Sequence, residues 1–252
     1  MEAKLVMSRS VVTAQRKNSV KDVLAKMIKA GTSCAIVVEK KTPVGIFTNH
    51  DLFQLIDSDS DLSTTIMETA MNPNVVCIHE TQNFFNSVRL HGKQDVWRFP
   101  VLDSENRVKG MATEKEITEK YALRSFPHNM MLASLKSPGI TATPTTSIRK
   151  VLNLVVQARL GCVVILKGRK PVGVIDEFSL AKLTSKDALK VGVGLKMSKK
   201  FMAAKAGSSV REAVIKMIKM GREEIVVTDD NGNYYGVVTQ HELVTHIEKT
   251  QL

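Results

Sequence analysis

Three segments of this chain place a threonine three residues ahead of an acid, at the end of an apolar run: Thr48 with Asp51, Thr113 with Glu116, and Thr239 with Glu242. An ionised carboxylate has two oxygens and accepts two hydrogens side by side, which suits a vicinal diol. The hydroxyl and the first turn of a following helix add polar groups for an anion. The same pairs also have a purely structural use, since a threonine with an acid three residues on caps a helix start. A related segment carries Asp176 and Ser179 in these places. There an acid replaces the hydroxyl and the second carboxylate is missing, so that copy is expected to be empty or repurposed.

The residue just before each acid is basic or imidazole: His50, Lys115 and His241. These are candidate phosphate contacts, and equally ordinary exposed residues of a first helical turn. Of the remaining histidines, His246 lies five residues after His241, off the spacing that stacks two zinc ligands on one helical face. Cys34 and Cys162 begin apolar runs and read as buried small hydrophobes rather than nucleophiles. With Cys77 they make three, neither an even disulfide framework nor a Cys-x-x-Cys knuckle. Trp97 falls in an apolar run and reads as core. No P-loop, G-x-S-x-G, H-E-x-x-H or G-x-G-x-x-G pattern occurs; VGVGLKM (191–197) has one Gly-x-Gly and reads as a connection. No residue set proposes a reaction, and no cofactor is required.

What positions these residues is a repeat. The segments PVGIFTNHDLFQLI, VKGMATEKEITEKY, PVGVIDEFSLAKLT and YGVVTQHELVTHI align on Gly45, Gly110, Gly173 and Gly236, spaced by 65, 63 and 63 residues. Upstream of each lies an apolar stripe at helical spacing, as in Val20, Val23, Leu24, Met27 and Ile28. The stripes recur from Ile148 and Val210 and, more weakly, from Phe84. Ser19, Asn83, Ser147 and Ser209 stand where each helix should start. A short β-branched run, a turn, the glycine-centred strand and a closing helix follow. Each unit therefore reads strand–helix–strand–strand–helix, an α/β fold of the α+β type.

The register has a finer period. From the first stripe residue to the glycine there are 25, 26, 25 and 26 residues, so a pair of unlike units is duplicated as a pair. The expected repeats span 1–57, 66–123, 133–184 and 195–252, grouped into modules 1–126 and 127–252. Connections are expected at 57–65, 124–129 and 185–192.

The unit resembles the cystathionine β-synthase (CBS) domain, above all in Gly-hydrophobic-hydrophobic-Thr-x-x-Asp before a helix. GIFTNHD matches in full, GMATEKE and GVVTQHE carry the longer acid, and GVIDEFS departs at both positions. Four tandem copies cover nearly the whole chain. The resemblance implies paired repeats, each pair a Bateman module, binding an adenosine-containing ligand such as AMP, ADP, ATP or S-adenosylmethionine in clefts between repeats. In that setting the acids would take the ribose diol, while glycine-adjacent strand ends would offer adenine backbone hydrogen bonds. The resemblance further implies a non-enzymatic regulator that pairs as a homodimer and reports to a protein partner.

Bulk composition sets the rival reading. The 252 residues carry 36 Lys and Arg against 25 Asp and Glu, a net of +11, with +2 on residues 1–126 and +9 on 127–252. Such a balance favours anionic partners, so a nucleic-acid-binding regulator using the second half is the alternative. No run approaches 18 apolar residues and MEAKLVMSRS lacks a signal-peptide h-region, so a cytoplasmic protein without a membrane span is expected.

Overall fold

The computed structural model describes residues 2–90, 98–158 and 161–250. His91 and Trp97 lie outside them. The chain divides into two compact units, 1–116 and 117–252.

The first unit holds β1 (Thr13–Ala14), α1 (Val20–Ala30), β2 (Cys34–Glu39), β3 (Thr42–Thr48) and α2 (Asn49–Asp57). After α3 (Met67–Ala70) come β4 (Ile78–His79), α4 (Phe84–Leu90), β5 (Arg98–Leu102), β6 (Val108–Thr113) and α5 (Glu114–Ser125), within which the division falls. The second unit holds β7 (Ile140–Ala142), α6 (Ile148–Ala158), β8 (Cys162–Lys167), β9 (Lys170–Asp176) and α7 (Glu177–Ala181). It continues with α8 (Lys186–Lys190), β10 (Ala203–Lys205), α9 (Val210–Lys219), β11 (Glu224–Thr228), β12 (Tyr234–Thr239) and α10 (Gln240–Thr250). Four times over, then, the order is strand, helix, strand, strand, helix. Each repeat makes one three-stranded sheet in sequence order, first pair parallel and second antiparallel. A parallel pair needs a crossover, and the amphipathic helix between the two strands supplies it.

The expected caps form. Ser19 Oγ accepts from Asp22 N at 3.1 Å, Asn83 Oδ1 from Asn86 N at 3.2 Å, Ser147 Oγ from Lys150 N at 3.3 Å and Ser209 Oγ from Glu212 N at 3.5 Å. Behind them Val20, Val23, Leu24 and Met27 are buried, as are Ile148, Val151, Leu152 and Val155. Residues 185–192, expected as a bare connection, instead contain α8. Ser185 caps it through Ala188 N at 3.2 Å and Leu189 is buried, which suffices to set one turn against α6.

The one-residue difference in register sits in the hairpins. In the first and third repeats, Glu39 faces Thr42 and Lys167 faces Lys170 across two-residue turns. Lys40 and Lys41 both take positive φ there, the backbone that a tight hairpin demands. The second and fourth repeats use longer turns organised by an aspartate: Asp103 Oδ1 accepts from Arg107 N, and Asp229 Oδ1 from Asn233 N. Asn106 and Gly232 supply the left-handed residue in each.

Within a unit the two repeats are interlocked. The segment leading into one repeat crosses the glycine strand of the other. Ser8 pairs both ways with Met111, Asn72 with Ile46, Ser137 with Val237 and Ser198 with Val174, all through backbone bonds of 2.7–3.0 Å. Each bridged partner directly follows a motif glycine. A Cβ on Gly110 would stand 2.6 Å from Ser8 O, on Gly173 3.0 Å from Ser198 O, and on Gly236 2.6 Å from Ser137 O. In three copies a methionine (Met7, Met71 or Met197) also lies on the glycine. The repeated glycine is there to let the exchanged segment close on the sheet.

Candidate functional site

In every repeat the motif lies at the junction between the third strand and the closing helix. Thr48 is the N-cap of α2, with helical residues beginning at Asn49. Its backbone N–H and its hydroxyl both donate to Asp51 Oδ2, each at 2.7 Å, while Asp51 N–H donates back to Thr48 Oγ1 at 3.4 Å. This is a complete capping box. The longer acids make the acid half of the box. Thr239 N–H and hydroxyl donate to Glu242 Oε2 at 2.7 and 2.6 Å. Thr113 N–H donates to Glu116 Oε2 at 3.1 Å, and its hydroxyl donates to the same oxygen.

Two chemical consequences follow. The threonine hydroxyl proton is committed to the acid, so toward a ligand that oxygen can only accept. Each acid spends one oxygen on the cap, and the other has no hydrogen-bond partner among the described residues. Capping therefore leaves the second oxygen of each carboxylate uncommitted. The backbone N–H and C=O of the residue just past each glycine are bonded by the exchanged segments.

Around Asp51 the first unit gathers a mixed-charge group. Arg98, the first residue of β5, is registered opposite Thr113 and reaches across to Ser33 of the other repeat, its Nε–H donating to Ser33 Oγ at 3.3 Å. Burial pushes the Asp51 carboxyl up, against the two Thr48 hydrogen bonds and the positive charges of His50 and Arg98. Cys34 opens β2 opposite Thr48 and is 4% exposed. Burial raises its thiol, Arg98 opposes that, and Glu116 adds to it. Thr48, Asp51, Arg98, Cys34 and Glu116 thus come from both repeats to one place. His50 is half-buried with its Nε2 3.2 Å from Gln54 Nε2, and Lys115 stands exposed.

A family model for the CBS domain matches residues 3–58, 66–123, 133–186 and 191–249. The chain belongs to the CBS domain family. An uncharacterized protein of Methanocaldococcus jannaschii, MJ1225, is 27% identical over 126 residues, a match covering 46% of this chain and 45% of that relative. In that sequence match the chain thus spans less than half the length of the relative. A second uncharacterized protein of that organism, MJ1426, is 24% identical over 169 residues, 67% of this chain and 83% of the relative. The crystal structure of MJ1225, described as a candidate archaeal homolog of g-AMPK, superposes with a TM-score of 0.87 at 16% identity, covering all of both chains. A conserved protein of Pyrococcus horikoshii gives 0.66 at 18% identity over 98% of this chain and all of that one. At these identities the likeness is one of fold.

The second pair of CBS repeats has the same frame and different chemistry. In the third repeat the acid takes the N-cap place that a threonine holds elsewhere: Asp176 starts α7, accepting from Ser179 N at 2.6 Å. The helix it starts has five residues, against nine in α2. His241 N–H donates to Thr239 Oγ1 at 3.2 Å. Cys162 opens β8 opposite Asp176, and Glu224 opens β11 opposite Thr239, as Cys34 and Arg98 do in the first pair. Sequence reasoning singled out the two cysteines and passed over Arg98 and Glu224. The signal was present, since these stand 12 residues before Gly110 and Gly236 while the cysteines stand 11 before theirs. Among the described residues no helix is long and apolar enough to cross a membrane, and no His/Cys/Asp/Glu group fits a metal ion.

Proposed function

We propose that this protein is a non-enzymatic regulator that binds an adenosine-containing ligand between paired CBS repeats. The ribose diol lies at Asp51, and Glu116 and Glu242 serve as its counterparts. The observation that carries this reading is the divided carboxylate of Asp51: Oδ2 is held by the cap, Oδ1 has no partner among the described residues, and the positive charge of Arg98 acts on it. A fixed carboxylate with one spare oxygen is a ready acceptor for a hydroxyl, and the guanidinium favours an anionic neighbour. His50, Lys115 and His241 are the further cations available to phosphate. The ligand class comprises AMP, ADP, ATP and S-adenosylmethionine. Bound across two repeats, such a ligand shifts their arrangement by no more than its differential affinity for the two states. A homodimer and a regulated protein partner would read that shift.

Calorimetric titration of the purified chain with these four compounds tests the reading, at low and high salt. Binding of at least one, weakened in Asp51→Asn, is expected. Failure of all four to bind overturns it. Binding of a DNA duplex with steep salt dependence, in that case, would favour the basic second half as a nucleic-acid surface.

A further inference from the structure

The four strand-start residues that face the motif differ in a way the motif itself does not. Cys34 and Arg98 occupy these places in the first unit, Cys162 and Glu224 in the second. The register partners are equivalent: Arg98 is opposite Thr113, and Glu224 opposite Thr239. One place on one frame thus carries opposite charge in the two units.

Glu224 stands on the face where the two sheets of its unit meet. Side chains two apart on a strand share a face, so Glu224 points the same way as Val226. Val226 packs with Cys162, Val164, Val174 and Val237 in the core between the sheets of the third and fourth repeats. Glu224 is 4% exposed, and its carboxylate takes a backbone hydrogen bond from Glu223 and feels the positive charge of Arg222, while no side-chain hydrogen bond or salt bridge to it is found among the described residues. Asp176 and Glu223 add negative charge near it, and burial pushes its carboxyl up to about 7. Burial raises the Cys162 thiol, and the negative charges of Glu224, Glu242 and Asp176 add to that. A buried acid without a salt bridge, at the place where the other unit presents a guanidinium, is poorly suited to structure alone. It is well suited to discrimination, because a specific site needs a repulsive element as well as attractive ones.

We propose that Glu224 is a specificity-determining residue that makes the second unit's site refuse anionic adenosyl compounds and accept uncharged or cationic ones. This rests on the reading of the protein as an adenosyl-ligand binder. The two units then report different members of one ligand class rather than the same ligand twice.

The test compares AMP with adenosine at pH 8 on the full chain, with hydrogen exchange and mass spectrometry reading each unit separately. In the wild type, AMP should protect residues 34–48 and 98–113 and spare 162–176 and 224–239, while adenosine protects the latter set. Glu224→Gln keeps the shape and removes the charge. It should strengthen AMP at the second unit by about tenfold or more, the size of one like charge removed at short range, and leave adenosine unchanged. A melting curve confirms that the variant is folded. Equal protection of both units by AMP in the wild type overturns the inference, as does an AMP-to-adenosine preference that Glu224→Gln does not move. In those cases ligand binding as such still stands. If neither compound protects either unit, the inference falls, and the titration with ADP, ATP and S-adenosylmethionine decides whether the reading as an adenosyl binder falls with it.

Discussion

Asp51 accepts the backbone N–H and the hydroxyl of Thr48 on one oxygen, Oδ2, at 2.7 Å each, leaving Oδ1 without a partner among the described residues. Two variants separate the two jobs. Asparagine keeps an oxygen to accept from Thr48 and loses the charge and the second acceptor. Asp51→Asn should therefore melt close to wild type and bind its adenosyl ligand roughly 10- to 150-fold more weakly, the value of about 1.5–3 kcal/mol for a hydrogen bond to a charged group. Asp51→Ala should lose the cap as well, about 0.5–2 kcal/mol. Calorimetry beside thermal melts reads both, and unchanged affinity in Asp51→Asn would reduce Asp51 to a cap.

The motif glycines should resist substitution for a packing reason. At Gly173 an added Cβ would lie 2.6 Å from Met197 Sδ and 3.0 Å from Ser198 O; at Gly236 it would lie 2.6 Å from Ser137 O. Gly173→Ala should cost about 1–3 kcal/mol as overpacking, partly recovered by Met197→Ala in the same chain. Gly236→Ala meets backbone and should have no such rescue. At ~2–4 °C of melting temperature per kcal/mol the losses are measurable by calorimetry. Wild-type melting of Gly236→Ala would show that the crossing segment is loosely held.

Glu224 should give stability a pH dependence of unusual sign. Burial raises its carboxyl from 4.5 to about 7, so between these values the folded state keeps a proton that the unfolded chain has released. Stability then falls as pH rises through this window and is flat above it. His246 opposes it. Burial against Phe126 holds that imidazole below 6.5, so its contribution is complete above that value and fades as pH drops. Glu224→Gln should accordingly melt several degrees above wild type near pH 8 and match it near pH 4.5. Parallel curves across the range would mean that Glu224 reaches solvent in solution.

The thiols should be inert in the native state. Burial raises Cys34, raises Cys162 well above its ordinary value and pushes Cys77 to about 11. A disulfide reagent at neutral pH should label three thiols in denaturant and none at comparable speed in the folded chain. Fast native labelling of any one of them would contradict the burial described.

Much of this fold was legible because each element announces itself twice over, by apolar spacing and by a cap, as at Ser19 ahead of Val20 or Ser209 ahead of Val210. The alternation of 25 and 26 residues was readable too, though not that its origin lies in two-residue against aspartate-organised turns. At the site, Thr48 and Asp51 could be named from spacing. Their mutual bonding could not be chosen over ligand contact, since both uses require the same residues at the same separation. The exchange of leading segments left no local trace: Ser137 and Val237 are neighbours only in space, and a glycine that makes room for a distant backbone looks like one that serves a turn. Glu224 was hidden because a charged residue at a strand start is ordinarily a solvated end, and only the facing sheet buries it.

The interlocking of repeats bears on the order in which the protein can be made. Ser137 finds its partner 100 residues ahead, at Val237, and Ser8 waits for Met111. A chain leaving the ribosome N-terminus first must therefore hold each leading segment unsatisfied until its unit is almost complete. Until then the leading segment keeps its backbone N–H and C=O groups unpaired, the kind of surface on which chains stick to one another. If the waiting segment of one molecule settles on the glycine strand of another, the bonds formed are the same ones. A crowded refolding mixture should thus yield swapped dimers whose interior is identical to that of the monomer.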